Sequence, residues 1–203
     1  MKDLPKIVTE IPEAAKKVAE KYWPGPLTMI FQKSDIVPHG TTGGLDTVAV
    51  RMPDHPIARD LILAGGGYIS APSANTSGRP SPTTAQHVEE DLTGKIDMIV
   101  DGGPVDIGVE SSILDVTVDP PMILRPGAIT KEMFESVVGT VAVDHTLIKP
   151  DSKEVPKAPG MKYRHYAPKA QLTVVEGNTD AVVNYINERT AKHVANGRRV
   201  GII

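Results

Sequence analysis

The sequence predicts a mixed α/β (α+β) fold, and three observations lead to this prediction. Runs rich in β-branched or apolar residues, such as 47–52, have the length of strands. Segments such as 131–138 have helical character and follow a residue that commonly caps helices, here Thr130. The chain also contains 18 glycines and 18 prolines, which divide it into many short elements. Helices mixed with hairpin-like strand runs indicate a sheet that is flanked by helices.

The predicted elements follow one another from residue 12 to residue 138. Pro12 suits the first turn of a helix, and the run Trp23-Pro24-Gly25-Pro26 ends that helix. Three consecutive glycines at 65–67 cap a later helix. In chain order we expect helix 12–22, strand 27–32, loop 34–45, strand 47–52, helix 55–64, strand 68–71, polar loop 72–82, helix 84–92, strands 98–101, 112–118 and 122–125, and helix 131–138.

A change in composition near residue 144 indicates a domain boundary. Residues 1–144 form the predicted first domain, and 145–170, rich in Pro, Lys and His without periodicity, form a predicted linker. Residues 171–203 then begin a second, βαβ-like unit, with a strand at 171–175, a helix at 179–194 and a strand at 200–203. Because one βαβ unit cannot cover both faces of its sheet, we expect this second domain to be truncated.

Composition excludes several classes of protein. The chain has no cysteine, so it has no disulfide framework, no thiolate zinc site and no cysteine nucleophile. Its net charge of -3 and pI near 6.1 provide no overall basic field for nucleic acid, although a local basic patch stays open. There is no apolar run of membrane-spanning length and no signal-peptide segment near the start, so we expect a cytoplasmic protein without a membrane partner.

Two stretches combine small residues with polar groups that could bind oxyanions. The loop 70–82 is dense in hydroxyls, amides and backbone N–H groups, which can bind phosphate or carboxylate oxygens. It could equally be a surface loop built from side-chain turns. In 47–51, strand alternation puts Thr47, Ala49 and Arg51 on one face, where the guanidinium suits a planar carboxylate. The alternative is a solvated arginine on a half-buried sheet.

Three further stretches carry weaker signals. The glycines of 101–104 and 108–113 allow close backbone approach, with Ser111 at the start of the next strand, but they match neither Walker nor Rossmann fingerprints. Arg125, before a Pro-Gly turn, could meet phosphates or stay solvated. The basic stretch 158–169 could bind phosphates, RNA or adenine, or be an ordinary solvated linker. Histidine spacing does not fit a zinc site, and no hydrolase elbow is present.

Together these stretches resemble the Sua5/YrdC family. The resemblance implies a twisted YrdC-like sheet domain, a linker that acts as a lid, and the start of a Rossmann-like Sua5 C-terminal domain. Family members open with a segment that carries Lys-x-Arg and Asn-Pro-Leu motifs, which have no counterpart here. We therefore expect an N-terminally incomplete catalytic domain that is a poor catalyst alone. The matching stretches are 21–28, 47–55, 70–78, 108–113, 124–127 and 159–168.

The resemblance also implies a reaction and its binding residues. The family condenses L-threonine, bicarbonate and ATP to threonylcarbamoyl-AMP and pyrophosphate, for the t6A modification at position 37 of tRNA. It implies Mg²⁺ bound through the ATP phosphates, with no metal ligand from protein side chains, and tRNA or the tRNA-modifying complex as downstream partners. By motif match, L-threonine would contact Arg51, Ala71 and Ser111, and ATP would contact Thr47, Ser73, Asn75, Ser81, Arg125, Tyr163 and His165.

Two other functions stay open at this point. The family fold is also described as a binding surface for double-stranded RNA or tRNA, against which the acidic net charge weighs. A related domain serves carbamoyl transfer in hydrogenase maturation. The Sua5-type linker and the absence of cysteine zinc motifs weigh against that alternative.

Overall fold

A computed structural model of the chain describes residues 2–76, 78–144 and 171–203. The chain divides into two compact units, Met1–Ala167 and Pro168–Ile203. The linker predicted at 145–170 lies outside the described residues.

The first unit is a mixed sheet with helices, as the sequence predicts. Its described elements are α1 (Leu4–Ile7), α2 (Glu13–Tyr22), β1 (Leu27–Gln32), β2 (Thr47–Arg51), α3 (Pro56–Ala64), α4 (Ala85–Leu92), β3 (Ser112–Asp115), β4 (Met122–Arg125), α5 (Lys131–Val138) and β5 (Ala142–Val143).

The sheet has five strands in the order β2-β1-β3-β4-β5. Strands β1 and β2 pair antiparallel, β1 and β3 parallel, β3 and β4 antiparallel, and β4 and β5 parallel. A register irregularity lies between Ile113 and Leu114, where β3 meets β4. Strand β1 is therefore an internal strand, with both of its edges paired.

The two faces of β1 have different neighbours because successive side chains point to opposite sides of a strand. Leu27, Met29 and Phe31 are at most 1% exposed and belong to the main core, together with Val18 of α2 and Phe134 of α5. Burying each such side chain stabilises the fold by about 1.5–3 kcal/mol. The opposite face has a smaller apolar cluster and carries the polar residues discussed below.

The turn after α2 explains the Trp-Pro-Gly-Pro run. The Trp23 N–H donates to the Ala19 carbonyl at the helix end, and the Trp23 indole N–H donates to the Leu27 carbonyl at 2.8 Å. Gly25 comes so close to the helix that an added Cβ would lie 2.6 Å from the Tyr22 oxygen. Its N–H donates to the Met52 carbonyl at 2.9 Å, so the turn is tied to the end of β2.

Several predicted strands are wrong or too long. Residues 68–71 and 98–101 are not strands, because neither segment pairs with another among the described residues. The strand predicted over 112–118 ends at Asp115, whose Oδ1 accepts hydrogen bonds from the backbone N–H and the hydroxyl of Thr117 and so forms a turn. The short elements α1 and β5 are not predicted from the sequence.

The second unit contains α6 (Thr179–Ala195) in its described part. The Asn178 side chain caps this helix by accepting from the Asp180 N–H at 3.0 Å. The helix prediction is confirmed, but the strand predictions at 171–175 and 200–203 are wrong, because these segments have no ladder partner in the described part of the chain. Of the helices in the described ranges, none has both the length and the apolar character needed to cross a membrane.

Candidate functional site

Ser111 is the centre of a hydrogen-bonded cluster on the less covered face of the sheet. It lies directly before β3, is 8% exposed, and its Oγ is 2.8 Å from Thr28 Oγ1 of β1. Arg125, at the end of β4, donates through Nη2 to Ser111 Oγ at 3.1 Å and through Nε to the Ser111 carbonyl at 3.0 Å. The guanidinium is therefore fixed on Ser111 by two of its donors.

The turn after β4 holds the backbone on either side of Ser111. A Cβ at Gly127 would lie 2.5 Å from both the Glu110 oxygen and the Ser112 nitrogen, so only glycine allows this approach. The buried Ser112 hydroxyl donates to the Ile129 carbonyl at 2.8 Å and accepts from the Ile129 N–H at 3.0 Å. These contacts explain why a Pro-Gly turn and a Ser-Ser pair occur together in one site.

The strand register places Arg51 beside this cluster. Across β2, β1, β3 and β4, the paired residues are Arg51, Thr28, Ile113 and Arg125 in turn. Directly opposite residues of an antiparallel pair project to one face, with Cβ atoms about 4.5–5.5 Å apart. The Arg51 side chain therefore leaves the sheet on the same side as the Thr28 hydroxyl.

Thr47 shares this face of β2 but lies at its other end. It pairs with Gln32, four positions along the strand from Arg51, which is about 13 Å at the usual rise. Of the predicted residues, the structure thus brings Arg51, Ser111 and Arg125 together and places Thr47 further along the same surface.

The loop 70–82 is organised by its own hydrogen bonds. Asn75 donates its amide hydrogens to the carbonyls of Thr76 at 3.1 Å and Arg79 at 2.9 Å. Its Oδ1 is buried without a hydrogen-bond partner among the described residues. The amide nitrogen of Asn75 therefore shapes the loop from inside.

Asp91 of α4 anchors this loop and is not predicted from the sequence. The Thr76 N–H donates to Asp91 Oδ2 at 2.9 Å, and Arg79 forms an ion pair with Asp91 Oδ1. The Asp91 side chain is 5% exposed, whereas that of Arg79 is 49% exposed. A polar residue on an amphipathic helix normally faces solvent, so no sequence signal distinguishes Asp91 from Glu89 or Glu90.

The remaining predicted residues belong to the loop 70–82 or lie outside the described residues. Ala71 and Ser73 are exposed and Ser81 is partly buried in the loop. In the described parts of the chain, no hydrogen bond connects this loop to Ser111. Tyr163 and His165 lie outside the described residues.

Thr28 is a site residue that the sequence interpretation does not single out. Two sequence signals for it exist: it is the one aliphatic hydroxyl residue of the 21–28 match, and strand alternation sets it apart from the apolar Leu27 and Met29. A third signal, the cross-strand pairing with Arg51, requires the sheet register and so comes only from the structure.

The cluster is suited to binding an oxyanion. Guanidinium groups bind carboxylate and phosphate bidentately, and hydroxyls add directional donors. Among the described residues, no carboxylate or imidazole hydrogen-bonds Ser111, so nothing there would activate it as a nucleophile. A groove of about 470 Å³ between α2 and α5 has a different lining: Lys17, Glu20, Lys21, Ser136 and Val137.

Comparison with known families assigns both parts of the chain. The sequence profile of the Sua5, YciO and YrdC proteins, described as "Telomere recombination", matches residues 1–127. A second profile, described as the C-terminal domain of threonylcarbamoyl-AMP synthase, matches residues 129–203.

Individual relatives agree with these matches. The threonylcarbamoyl-AMP synthase of Pyrococcus abyssi is 52% identical over 197 residues, which are 97% of this chain and 58% of that protein. The enzyme of the same name from Bacillus subtilis is 51% identical over 95% of this chain and 54% of its own length. A crystal structure of P. abyssi Sua5 complexed with L-threonine matches with a TM-score of 0.92 and 50% identity, over 100% of this chain and 59% of that one.

The chain therefore spans somewhat more than half the length of these two curated relatives. The profile match over residues 1–127 covers most of the chain and includes the whole Ser111 cluster. This chain belongs to the Sua5/YciO/YrdC family.

Proposed function

We propose that this chain provides the substrate-binding sheet of an L-threonylcarbamoyladenylate synthase. The reaction joins L-threonine, bicarbonate and ATP to give threonylcarbamoyl-AMP and pyrophosphate. The observation that carries the proposal is the Ser111 cluster beside Arg51, in a chain that is similar over its full length to a protein crystallised with L-threonine.

In this proposal L-threonine binds with its carboxylate toward Arg51 and Ser111. The planar fork of a guanidinium matches both oxygens of a carboxylate, which a lysine ammonium cannot do. Arg51 is exposed on the less covered face of the sheet, so its side chain can be approached from solvent. Ala71, in the loop 70–82, completes the proposed threonine site.

ATP would bind next to threonine, with its phosphates toward Arg125 and the loop hydroxyls. Arg125 donates from Nε and Nη2 to Ser111, which fixes the orientation of its guanidinium. Guanidinium and hydroxyl donors fit phosphate oxygens rather than a bare cation, so Mg²⁺ would be held through the ATP phosphates and would offset their charge. The proposed ATP contacts are Thr47, Ser73, Asn75, Ser81, Arg125, Tyr163 and His165.

The chemistry requires positioning more than a reactive side chain. The threonine amine and bicarbonate condense to a carbamate with loss of water. A carbamate oxygen then attacks the α-phosphorus of ATP, and the bond from that phosphorus to the β-phosphate bridging oxygen breaks to release pyrophosphate. Fixed donors that hold the carboxylate and the triphosphate in line accelerate such a transfer without a covalent intermediate.

The partners follow from the substrates and the product. We propose a cytoplasmic site of action, because the product would supply a threonylcarbamoyl group to tRNA through the tRNA-modifying complex. Binding of tRNA by this chain itself is the alternative, and steep salt dependence of that binding would favour it.

Calorimetric titration tests the proposal. ATP with Mg²⁺ is titrated into the chain alone, then in the presence of L-threonine and, as a control, of L-serine. We expect tighter ATP binding with threonine than with serine, because both substrates would share one sheet face. Equal ATP affinity in all three titrations, or no binding of threonine, would contradict the proposed function.

A further inference from the structure

We propose that Thr28 is a positioning residue that orients the Ser111 hydroxyl toward an oxygen of bound L-threonine. The proposal rests on the proposed function, since it concerns how that site recognises its substrate. It adds a residue of the internal strand β1 to a site that otherwise consists of residues from β2, β4 and the loops.

The position of Thr28 is the first argument. Thr28 is paired with Arg51 on one side and with Ile113 on the other, so it lies between β2 and β3. Its hydroxyl is 2.8 Å from Ser111 Oγ. Thr28 is thus the residue that connects the proposed carboxylate-binding arginine to the proposed threonine-binding serine.

The hydrogen count at Ser111 is the second argument. A serine hydroxyl has one hydrogen to donate and two lone pairs that accept. One lone pair of Ser111 Oγ accepts from Arg125 Nη2. If Thr28 donates to the second lone pair, the hydroxyl hydrogen of Ser111 points away from both Thr28 and Arg125 and can be donated to a ligand on the less covered face of the sheet. If Ser111 instead donates to Thr28, no hydrogen remains for a substrate carboxylate, which can only accept.

An anionic ligand therefore selects the arrangement in which Thr28 donates. The guanidinium of Arg125 is compatible with this arrangement, because it occupies one lone pair of Ser111 Oγ and leaves the second for the Thr28 hydroxyl. Threonine suits this task on a strand, since its β-branched side chain has restricted rotation about χ1. Strand β1 is paired on both edges, which fixes the backbone beneath it.

The test compares two substitutions at Thr28. Thr28→Val keeps the shape and removes the hydroxyl, whereas Thr28→Ser keeps the hydroxyl. The dissociation constants for L-threonine and for ATP with Mg²⁺ are measured by calorimetry, with thermal unfolding as a check of folding. We expect Thr28→Val to weaken threonine binding about tenfold, as for one lost hydrogen bond of about 1.4 kcal/mol. ATP binding without threonine should change less than about twofold, and Thr28→Ser should restore threonine binding.

A double-mutant cycle distinguishes positioning from a separate contact. If Thr28 acts through Ser111, adding Thr28→Val to Ser111→Ala should cause no further loss of threonine affinity. An additional tenfold loss in that background, or wild-type affinity in Thr28→Val, would overturn the proposal while leaving the proposed function intact. Failure of the wild-type chain to bind threonine would overturn both.

Discussion

Replacing Ser112 by alanine should destabilise the first unit more than any exposed hydroxyl substitution. Ser112 is 0% exposed, and its hydroxyl both donates to and accepts from the backbone of Ile129, at 2.8 and 3.0 Å. Ile129 is itself 4% exposed, so water cannot readily replace the lost partner. The substitution therefore leaves one buried N–H and one buried carbonyl without their side-chain partner.

The size of the effect follows from these two groups. A buried polar group that loses its partner costs about 1–3 kcal/mol. Local relaxation should let one of the two groups recover part of that cost, which gives a total of about 2–4 kcal/mol. For a unit of this size, each kcal/mol lowers Tm by about 2–4 °C. We therefore expect Ser112→Ala to lower Tm by about 5–15 °C.

Chemical denaturation measured by circular dichroism gives the change in free energy of unfolding directly. Ser136→Ala is the matched control, because the Ser136 hydroxyl donates to the Met133 carbonyl at 2.7 Å but on an exposed helix position. That control should change the free energy of unfolding by less than about 0.5 kcal/mol. Equal effects of the two substitutions would refute the reasoning that burial sets the cost.

Two further predictions concern the turn after β4 and the helix that follows. Gly127→Ala should destabilise the unit by about 1–3 kcal/mol and weaken threonine binding, because the added Cβ would lie only 2.5 Å from the Glu110 oxygen and the Ser112 nitrogen. Gly40→Ala is the control, since no described atom lies within 4 Å of a Cβ added there. It should have little effect in the same unfolding and titration assays. The pKa of the Glu132 carboxyl should lie below its ordinary value of 4.5 in an NMR titration, because its own backbone N–H and the Thr130 hydroxyl bond its charged form. The contribution of the ionised Glu132 carboxylate to the free energy of unfolding should be complete above pH 4.5 and be lost as the pH falls through the pKa of the folded state. A pKa at or above 4.5 would contradict that prediction.

The sequence predicts well those elements that local signals determine. Thr130 as a cap predicts the helix at 131–138, and the Thr130 side chain accepts from the Met133 N–H in the structure. Strand 27–32 has the expected bounds because its apolar run lies between a turn and a loop. Simple alternation predicts Arg51 and Thr47 on one strand face, and the register agrees.

Features that depend on pairing or close approach were not predictable in this way. Residues 68–71 and 98–101 have strand-like composition, but a strand requires a partner, and none pairs with them in the described ranges. The contact of Arg125 with Ser111 joins residues that are 14 positions apart, through the β3 and β4 pairing. The sequence does not predict the role of Asp91, because its burial depends on the fold of the loop beside α4 and not on its place in the helix.

The central claim is that the face carrying Arg51 and Ser111 binds the carboxylate of L-threonine. The most direct measurement is the dissociation constant of L-threonine for Arg51→Lys, compared with the wild-type chain and with Arg59→Lys on the exposed surface of α3. Lysine keeps the charge and loses the bidentate geometry. We expect Arg51→Lys to lower the affinity for L-threonine at least about tenfold and Arg59→Lys to leave it unchanged. Unchanged affinity in Arg51→Lys, or equal losses in both variants, would contradict it.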